Sequence, residues 1–329
     1  MNWHGKKILV TGAGGFIGSH LVEALVKSGA NVRALVHYNS RNDWGLIELL
    51  PEEIRQQLDV VAGDVRDAFM MRNVVKGCRI VFHLAALIGI PYSYVAPDSY
   101  VDTNVKGTLN VLQASLSEAV ERVIHTSTSE VYGTARYIPI DEKHPLQGQS
   151  VYSASKIGAD KIAESFYCSF NLPVSIIRPF NTYGPRQSAR AILPTIVTQA
   201  LANSELKLGS LVPVRDLTYV KDTVDGFLKM AESENSVGEL INIGTGVGIS
   251  IGALAERITT LLGKKFKIVR DEQRVRPEKS EVMELVCDAR KAKAMIGWEP
   301  RVSLDEGLRK TIQWARANMH LYKPEIYHI

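Results

Sequence analysis

The sequence predicts an α/β protein: a doubly wound parallel sheet followed by a smaller C-terminal lobe. Three observations carry this. Short apolar, β-branched runs alternate with helical patterns through the first half of the chain. A glycine-rich turn joins the first strand directly to the first helix. After Arg178, prolines and short loops break the alternation.

In order, Lys7–Thr11 reads as the first strand and Phe16–Ser28 as the helix behind it. Strand-like runs follow at Asn31–Val36, Leu58–Ala62, Ile80–Leu84, Arg122–Thr126 and Val174–Arg178, with helical patterns at Val101–Leu116 and Tyr152–Phe170. The strands are continuously apolar rather than alternating, as in a sheet covered by helices on both faces. Such a sheet gathers its ligands at the carboxyl ends of the strands. Pro179, Pro185 and Pro194 then punctuate a loop-rich stretch. Glu239–Ile243 reads as a later strand, followed by a helix that Ser250 can cap at its start and Gly263 can end.

Bulk properties exclude several classes of function. The 329 residues are 45% hydrophobic and 22% charged, enough for a large core. The net charge of +4 comes without a basic block, which suits a small anionic substrate and not a nucleic acid. Cys78, Cys168 and Cys287 are far apart, as expected of reduced thiols in a cytosolic protein. The histidines form no HxH or HxxxH pair, so no metal site is expected. Met1–Lys7 lacks the features of a signal peptide, and no run reaches the roughly 18 apolar residues of a membrane span. A soluble, cytoplasmic protein without a membrane partner is the expectation.

The turn Gly12-Ala-Gly-Gly15-Phe-Ile-Gly18 lies between strand and helix, in the GxxGxxG spacing, with Gly14 giving a second GxG reading. This pattern provides a tight turn, close backbone approach to a pyrophosphate, and a helix N-terminus facing the phosphates. Gly12, Gly14, Gly15, Phe16, Ile17 and Gly18 are therefore candidate dinucleotide contacts within a Rossmann-like fold. NAD binders usually end the next strand with an acid that holds the ribose 2′-hydroxyl. Here Val36 takes that place, and His37, Ser40 and Arg41 follow, so the sequence favours NADP over NAD. Asp64, in Gly63-Asp-Val65, is a candidate adenine contact.

Tyr152 and Lys156 are four residues apart in a helical pattern, which puts both on one face. A nearby ammonium is expected to lower the phenol's pKa and make it a usable base. The strand Arg122–Thr126 leads into Ser127-Thr-Ser-Glu130, where Thr128 is placed to hydrogen-bond a reacting hydroxyl.

Together these motifs resemble the extended short-chain dehydrogenases that act on nucleotide sugars. The likeness is carried by GxxGxxG, His83-Leu-Ala-Ala86, Asn104, the Thr128 segment, YxxxK and Arg178-Pro-Phe-Asn-Thr-Tyr-Gly-Pro185. In that group 4-epimerases usually have a small residue before Val-Tyr-Gly, whereas Glu130 resembles the 4,6-dehydratases. Thr128-Ser129-Glu130 matches the pattern of GDP-mannose dehydratases rather than the Thr-Asp-Glu of dTDP-glucose dehydratases. His37–Ser40, Ala86–Tyr94, Thr126–Gly133 and Tyr183–Arg190 are similar to the legionaminic-acid-type dehydratases of nucleotide-linked N-acetylglucosamine.

The resemblance implies that Val65, Leu84, Ala85, Ala86, Asn104 and Pro179, with Tyr152 and Lys156, face the cofactor. It further implies that Thr128, Ser129, Glu130, Tyr152 and Lys156 are catalytic, that Ser129 or Glu130 supplies the proton for water loss, and that Asn181, Arg215 and Arg276 contact the substrate's nucleotide part. Residues 1–180 would form the dinucleotide-binding domain, with returns of the chain over approximately 215–245, and residues 181–329 mainly the nucleotide-sugar lobe. Family members commonly dimerise through the YxxxK helix and the helix near Val105–Ser115, so a homodimer or larger homo-oligomer is implied. The implied reaction is 4,6-dehydration of a UDP- or GDP-linked sugar, with 4-epimerisation as the alternative.

Overall fold

The computed structural model describes residues 2–327. The strands along the chain are β1 (Lys7–Thr11), β2 (Asn31–His37), β3 (Asp59–Gly63), β4 (Ile80–His83), β5 (Arg122–Thr126), β6 (Val174–Pro179), β7 (Asn181–Tyr183), β8 (Glu205–Leu208), β9 (Val214–Tyr219), β10 (Leu240–Ile243), β11 (Gly248–Ser250), β12 (Lys267–Arg270) and β13 (Glu284–Leu285). The α-helices are α1 (Phe16–Lys27), α2 (Glu52–Arg55), α3 (Ala68–Val75), α4 (Ile90–Val95), α5 (Pro97–Tyr100), α6 (Gly107–Ser117), α7 (Val151–Phe170), α8 (Ile192–Ala202), α9 (Val220–Glu232), α10 (Ile251–Leu262), α11 (Arg290–Ile296) and α12 (Leu304–Ala317).

Seven strands form one parallel sheet in the order β3-β2-β1-β4-β5-β6-β10. Successive residues of each strand serve opposite faces, so Ile8, Val10, Ile80 and Phe82 join the core under α1, α9 and α11. Leu9, Val81 and Val123 join the second core, under α3, α6 and α7. Because both faces are covered, continuously apolar strands are the stable choice. The strand order reverses between β1 and β4, which opens a crevice at their carboxyl ends.

The outer edge of β10 is covered by side chains. The Glu142 carboxylate accepts the Asn242 N–H at 2.8 Å, and Lys291 Nζ donates to the Leu240 carbonyl at 2.7 Å. Both satisfy ladder groups that would otherwise invite another strand. Beyond the large sheet, β7, β9, β11 and β13 form a four-stranded sheet and β8 pairs with β12. A separate core, built from Leu193, Ile196, Leu254, Ile258, Leu308 and Ile312, binds α8, α10 and α12 together.

Two local readings change. The stretch read as one helix, Val101–Leu116, begins as a π-helix over Val101–Lys106 before α6. Its wide turn carries the buried Asn104, whose side chain bonds the Leu87 backbone twice. The loop expected after Arg178 is also more ordered: β6 runs on through Pro179, and β7 pairs with β9. Pro179 closes the strand, where a missing N–H is tolerated. At α10 the expected caps form, with Ser250 Oγ accepting the Ala253 N–H and Gly263 left-handed at φ +67°.

Candidate active site

The crevice begins at the end of β1. Thr11 Oγ1 accepts the N–H groups of Leu84 and Ala85, both at 3.1 Å, and pairs with His83 Nδ1 at 2.8 Å. The other ring nitrogen of His83 meets Thr108 Oγ1 at 3.0 Å. Burial holds His83 well below the usual histidine range, so this neutral ring ties β1, β4 and α6 together.

Gly12 sits at φ +68°, and a Cβ there would lie 2.7 Å from the Ala85 nitrogen. A Cβ on Gly18 would lie 2.2 Å from the Gly12 carbonyl oxygen. Both positions therefore exclude any larger residue. Gly15 caps α1 in extended backbone and supplies no side-chain acceptor, which leaves the first-turn amides at Phe16, Ile17 and Gly18 open toward an anion. A pyrophosphate fits this cradle. The segment after β2 closes over it, since the Leu46 N–H bonds the Gly14 carbonyl at 2.9 Å. That contact was not readable in the sequence.

At the end of β2, Val36 is buried and offers no charge, while His37, Ser40 and Arg41 are exposed. His37 Nδ1 lies 4.0 Å from Asp64, and Arg41 lies 3.8 Å from Asp43. Asp64 is held below its ordinary pKa by hydrogen bonds from Arg66, so it is a paired anion at the crevice rim. Val65 is buried beside it, its carbonyl bonded by Asn110.

The reacting end is built by β5 and α7. Ser150 and Ser153 form a capping box that starts α7 one residue before Tyr152. Asn104 Nδ2 donates to Ser155 Oγ at 2.9 Å and fixes this helix against the π-turn. Tyr152 and Lys156 are both buried, and Lys156 Nζ donates to the Thr126 carbonyl at 2.6 Å. Thr128 caps the short 3₁₀ turn Ser129–Tyr132, in which Ser129 and Glu130 are buried.

One expectation is corrected here. The phenol of Tyr152 is not depressed. Burial pushes it above its ordinary value, a hydrogen bond with Thr128 opposes this, and the charge of Glu130 raises it further. The T-shaped packing of Tyr100, with ring centroids 6.3 Å apart, supplies part of that dry surrounding. Lys156 is itself brought down to about 8 by burial. Its ammonium donates to the Thr126 carbonyl, and burial outweighs every influence that would lower the phenol.

Arg215, on β9, is buried and feels Glu130 as its strongest charge partner. Glu281 stands 3.4 Å from both Arg215 and Arg276. Asn181 Oδ1, at the start of β7, is buried with no protein partner. Acid and base thus alternate from Glu130 through Arg215 and Glu281 to Arg276. Reading the sequence missed Glu281 because nothing in its spacing points to the arginines it bridges. It also missed Asp160, although its position four residues after Lys156 was visible. Pro179 stands at the end of β6, beside the same crevice. Among the described residues no cluster of three or more His, Cys, Asp or Glu could hold a metal, and no helix is long and apolar enough to cross a membrane.

A phenol, a buried ammonium, a hydroxyl and a second acid beside an anion cradle can move protons at two carbons while a dinucleotide carries a hydride. Comparison with known proteins agrees with this chemistry. The family described as GDP-mannose 4,6 dehydratase matches residues 9–311. The dTDP-D-glucose 4,6-dehydratase of Mus musculus is 30% identical over 97% of this chain and 91% of its own. The structure of DesIV, a dTDP-glucose 4,6-dehydratase from Streptomyces venezuelae with NAD and TYD bound, superposes with a TM-score of 0.85 at 30% identity, covering 97% of this chain and 99% of that one. UDP-glucuronic acid 4-epimerase from Bacillus cereus, solved as a variant with NAD and a fluorinated UDP-sugar, gives 0.87 at 29% identity over 96% and 100% of the two chains. Match length, fold and site chemistry agree, and the chain belongs to the GDP-mannose 4,6 dehydratase family of extended short-chain dehydrogenases, the dehydratases and epimerases of nucleotide sugars.

Proposed function

We propose that this protein is a nucleotide-sugar 4,6-dehydratase that uses NADP on UDP- or GDP-linked N-acetylglucosamine. The observation that carries the reading is Glu130. Oxidation and reduction at C4 need Tyr152, Lys156 and a dinucleotide; a buried carboxylate beside them, sensed by both Tyr152 and Arg215, is surplus to epimerisation. When bound, the dinucleotide would take up a hydride from C4 and return it at C6, with C5 regaining a proton from the protein or solvent.

In this reading Gly12, Gly14, Gly15, Phe16, Ile17 and Gly18 hold the pyrophosphate, and Val65, Leu84, Ala85, Ala86, Asn104 and Pro179 line the rest of the cofactor site. His37, Ser40 and Arg41 receive a 2′-phosphate that an acid at Val36 would repel. The solved relatives named above contain NAD, so this preference rests on β2 alone. Tyr152 accepts the C4 hydroxyl proton while Thr128 orients that hydroxyl. Lys156 keeps a positive charge near the phenolate that accepts this proton. Glu130 removes the proton at C5, made acidic by the 4-ketone, and Glu130 or Ser129 protonates the departing C6 hydroxyl. Asn181, Arg215 and Arg276 hold the diphosphate, and binding it displaces Glu281 from at least one arginine.

Substrate recognition falls mainly to residues 181–329, and a homodimer through α6 and α7 is the assembly we assign. Incubation with UDP-, GDP- and dTDP-linked hexoses, followed by mass analysis, tests the function. Loss of water from a UDP- or GDP-linked N-acetylglucosamine supports it. Interconversion of C4 epimers without loss of water refutes it and establishes the 4-epimerase reading, which a solved relative of comparable similarity keeps in view.

A further inference from the structure

Beneath the reacting residues lies a buried polar cluster to which the mechanism above gives no part. We propose that Asp160 is a positioning residue of this active site: anchored by His125, Ser127 and Arg178, its carboxylate keeps the Lys156 ammonium charged and in place. The inference rests on reading Tyr152 and Lys156 as the proton-transfer pair.

Tyr152, Lys156 and Asp160 succeed one another at four-residue intervals on α7, so they share one face of the helix, the face turned to β5 and β6. All three are buried, Asp160 to within 2% of full burial. Its Oδ1 lies 3.1 Å from His125 Nε2. Its Oδ2 accepts from Ser127 Oγ at 2.5 Å and from Arg178 Nη2 at 2.7 Å, and Arg178 Nε donates to Ser127 Oγ at 3.1 Å. His125 and Ser127 belong to β5 and the turn after it, Arg178 to β6. The carboxylate is therefore fixed to the rigid sheet as well as to its own helix. Such a constellation is costly to bury and is retained only where its geometry is complete.

The charges facing Lys156 can be enumerated by element. His83 reaches it from β4, His125 from β5, and Asp160 from α7, while Arg178 on β6 is the next cation behind Asp160. The two imidazole rings stand 5.7 Å apart, and burial keeps both below the ordinary histidine value. Burial thus favours the neutral form of both rings. His125 Nδ1 has no partner, which places the ring proton on Nε2, toward Asp160. Asp160 is held ionised by its hydrogen bonds from His125 and by Arg178, against the cost of burial. It is the anion that offsets the desolvation of Lys156. Pairing with Arg178 explains why Asp160 is charged. It does not explain the register that sets that charge one helical turn beyond Lys156.

The test is the pH profile of kcat and KM for the cofactor-loaded enzyme. Loss of the Lys156 proton sets the alkaline limb. In Asp160→Asn, which keeps the shape and removes the charge, that limb is expected to move down by on the order of one pH unit, with kcat falling and KM nearly unchanged. Asp160→Glu, which restores the charge, is expected to return the limb toward its wild-type position. A folded Asp160→Asn enzyme whose activity is scaled equally at every pH overturns the proposal, because a purely structural role does exactly that. If Asp160→Asn does not fold, Ser127→Ala answers the same question without changing a charge. It removes the hydroxyl that anchors Oδ2 at 2.5 Å, and the limb is expected to move down; an unmoved limb in the folded variant overturns the proposal. Tyr152→Phe serves as the control. Retained turnover in that variant refutes the proton-transfer pair itself, a failure distinguishable from a fixed alkaline limb.

Discussion

Replacing Glu130 by Gln separates the two halves of the proposed reaction. Glu130 is 9% exposed, in the 3₁₀ turn whose first N–H bonds are capped by Thr128. Gln has the same shape and can keep that turn, but it cannot remove a proton. Losing a positioned general base costs on the order of 10²–10⁴-fold in rate, or about 2.7–5.5 kcal/mol in the barrier to elimination. The oxidation half responds differently. The Glu130 charge raises the Tyr152 phenol, so its removal makes phenolate formation easier and moves the acid limb of hydride transfer to lower pH. Arg215 loses one anionic neighbour but keeps Glu281 at 3.4 Å, so nucleotide-sugar binding is expected to survive. On rapid mixing with substrate, reduced cofactor should therefore accumulate at the usual near-ultraviolet absorbance. The sugar should neither lose water nor take up solvent deuterium at C5, whereas with the wild-type enzyme it is expected to do both. Undiminished dehydration by Glu130→Gln would refute this reasoning, and so would a variant that fails to reduce the cofactor at all.

Tyr152→Phe is expected to bind cofactor and nucleotide sugar normally and to lose on the order of 10²–10⁴-fold in turnover; near-normal activity would make Tyr152 a packing residue. Cofactor-stripped protein should bind NADP⁺ more tightly than NAD⁺ by calorimetry, by a few-fold to about tenfold because His37 and Arg41 are exposed, and equal or stronger NAD⁺ binding would reverse the assignment. Burial lowers His20 to about 4, so between about pH 4 and 6.5 the unfolded chain binds a proton that the folded His20 refuses. Stability should thus fall as the pH drops through that window, by on the order of 3 kcal/mol from this residue, and His20→Gln should flatten the slope measured by urea unfolding.

Much of the dinucleotide-binding half was legible because its signals are local. β1 and β5 occupy the residues expected of them, since an apolar run bounded by turn residues has few other uses in an α/β chain. The capping pair Ser250 and Gly263 acts through backbone geometry that residue type alone dictates. The π-turn at Val101–Lys106 was not legible, because six residues are too few to distinguish a wide helical period from 3.6. Nor were β7 and β13, whose two or three residues are strands only because β9 lies beside them. The same limit applies to electrostatics. Four-residue spacing places Tyr152 and Lys156 on one face, but the phenol's upward shift is set first by burial, to which Tyr100 contributes, and then by Thr128, which opposes it, and Glu130, which adds to it; these groups come from two other segments.

That division of origin bears on how one scaffold can serve both elimination and epimerisation. In the proposed reaction, oxidation at C4 depends on parts anchored to the sheet: the glycine turn after β1, the Thr126 carbonyl that accepts from Lys156, and the face of α7. The fate of the resulting ketone depends on what the turn after β5 presents to C5. This turn also has contacts of its own. Gln147 N–H bonds the Val131 carbonyl at 2.8 Å, Gly133 adopts φ +63°, and Arg178 stacks over the Tyr132 ring at 4.6 Å. In the proposed reaction a substitution at position 130 therefore removes the second proton transfer and only shifts the pH range of the first, because the Glu130 charge raises the Tyr152 phenol. Because Arg215 also senses the charge at Glu130, the same substitution couples the chemistry to the end of the site that would hold the diphosphate. In the proposed reaction this one turn decides the fate of the ketone, while the cofactor cradle and the Tyr152–Lys156 pair perform the oxidation that elimination and epimerisation share.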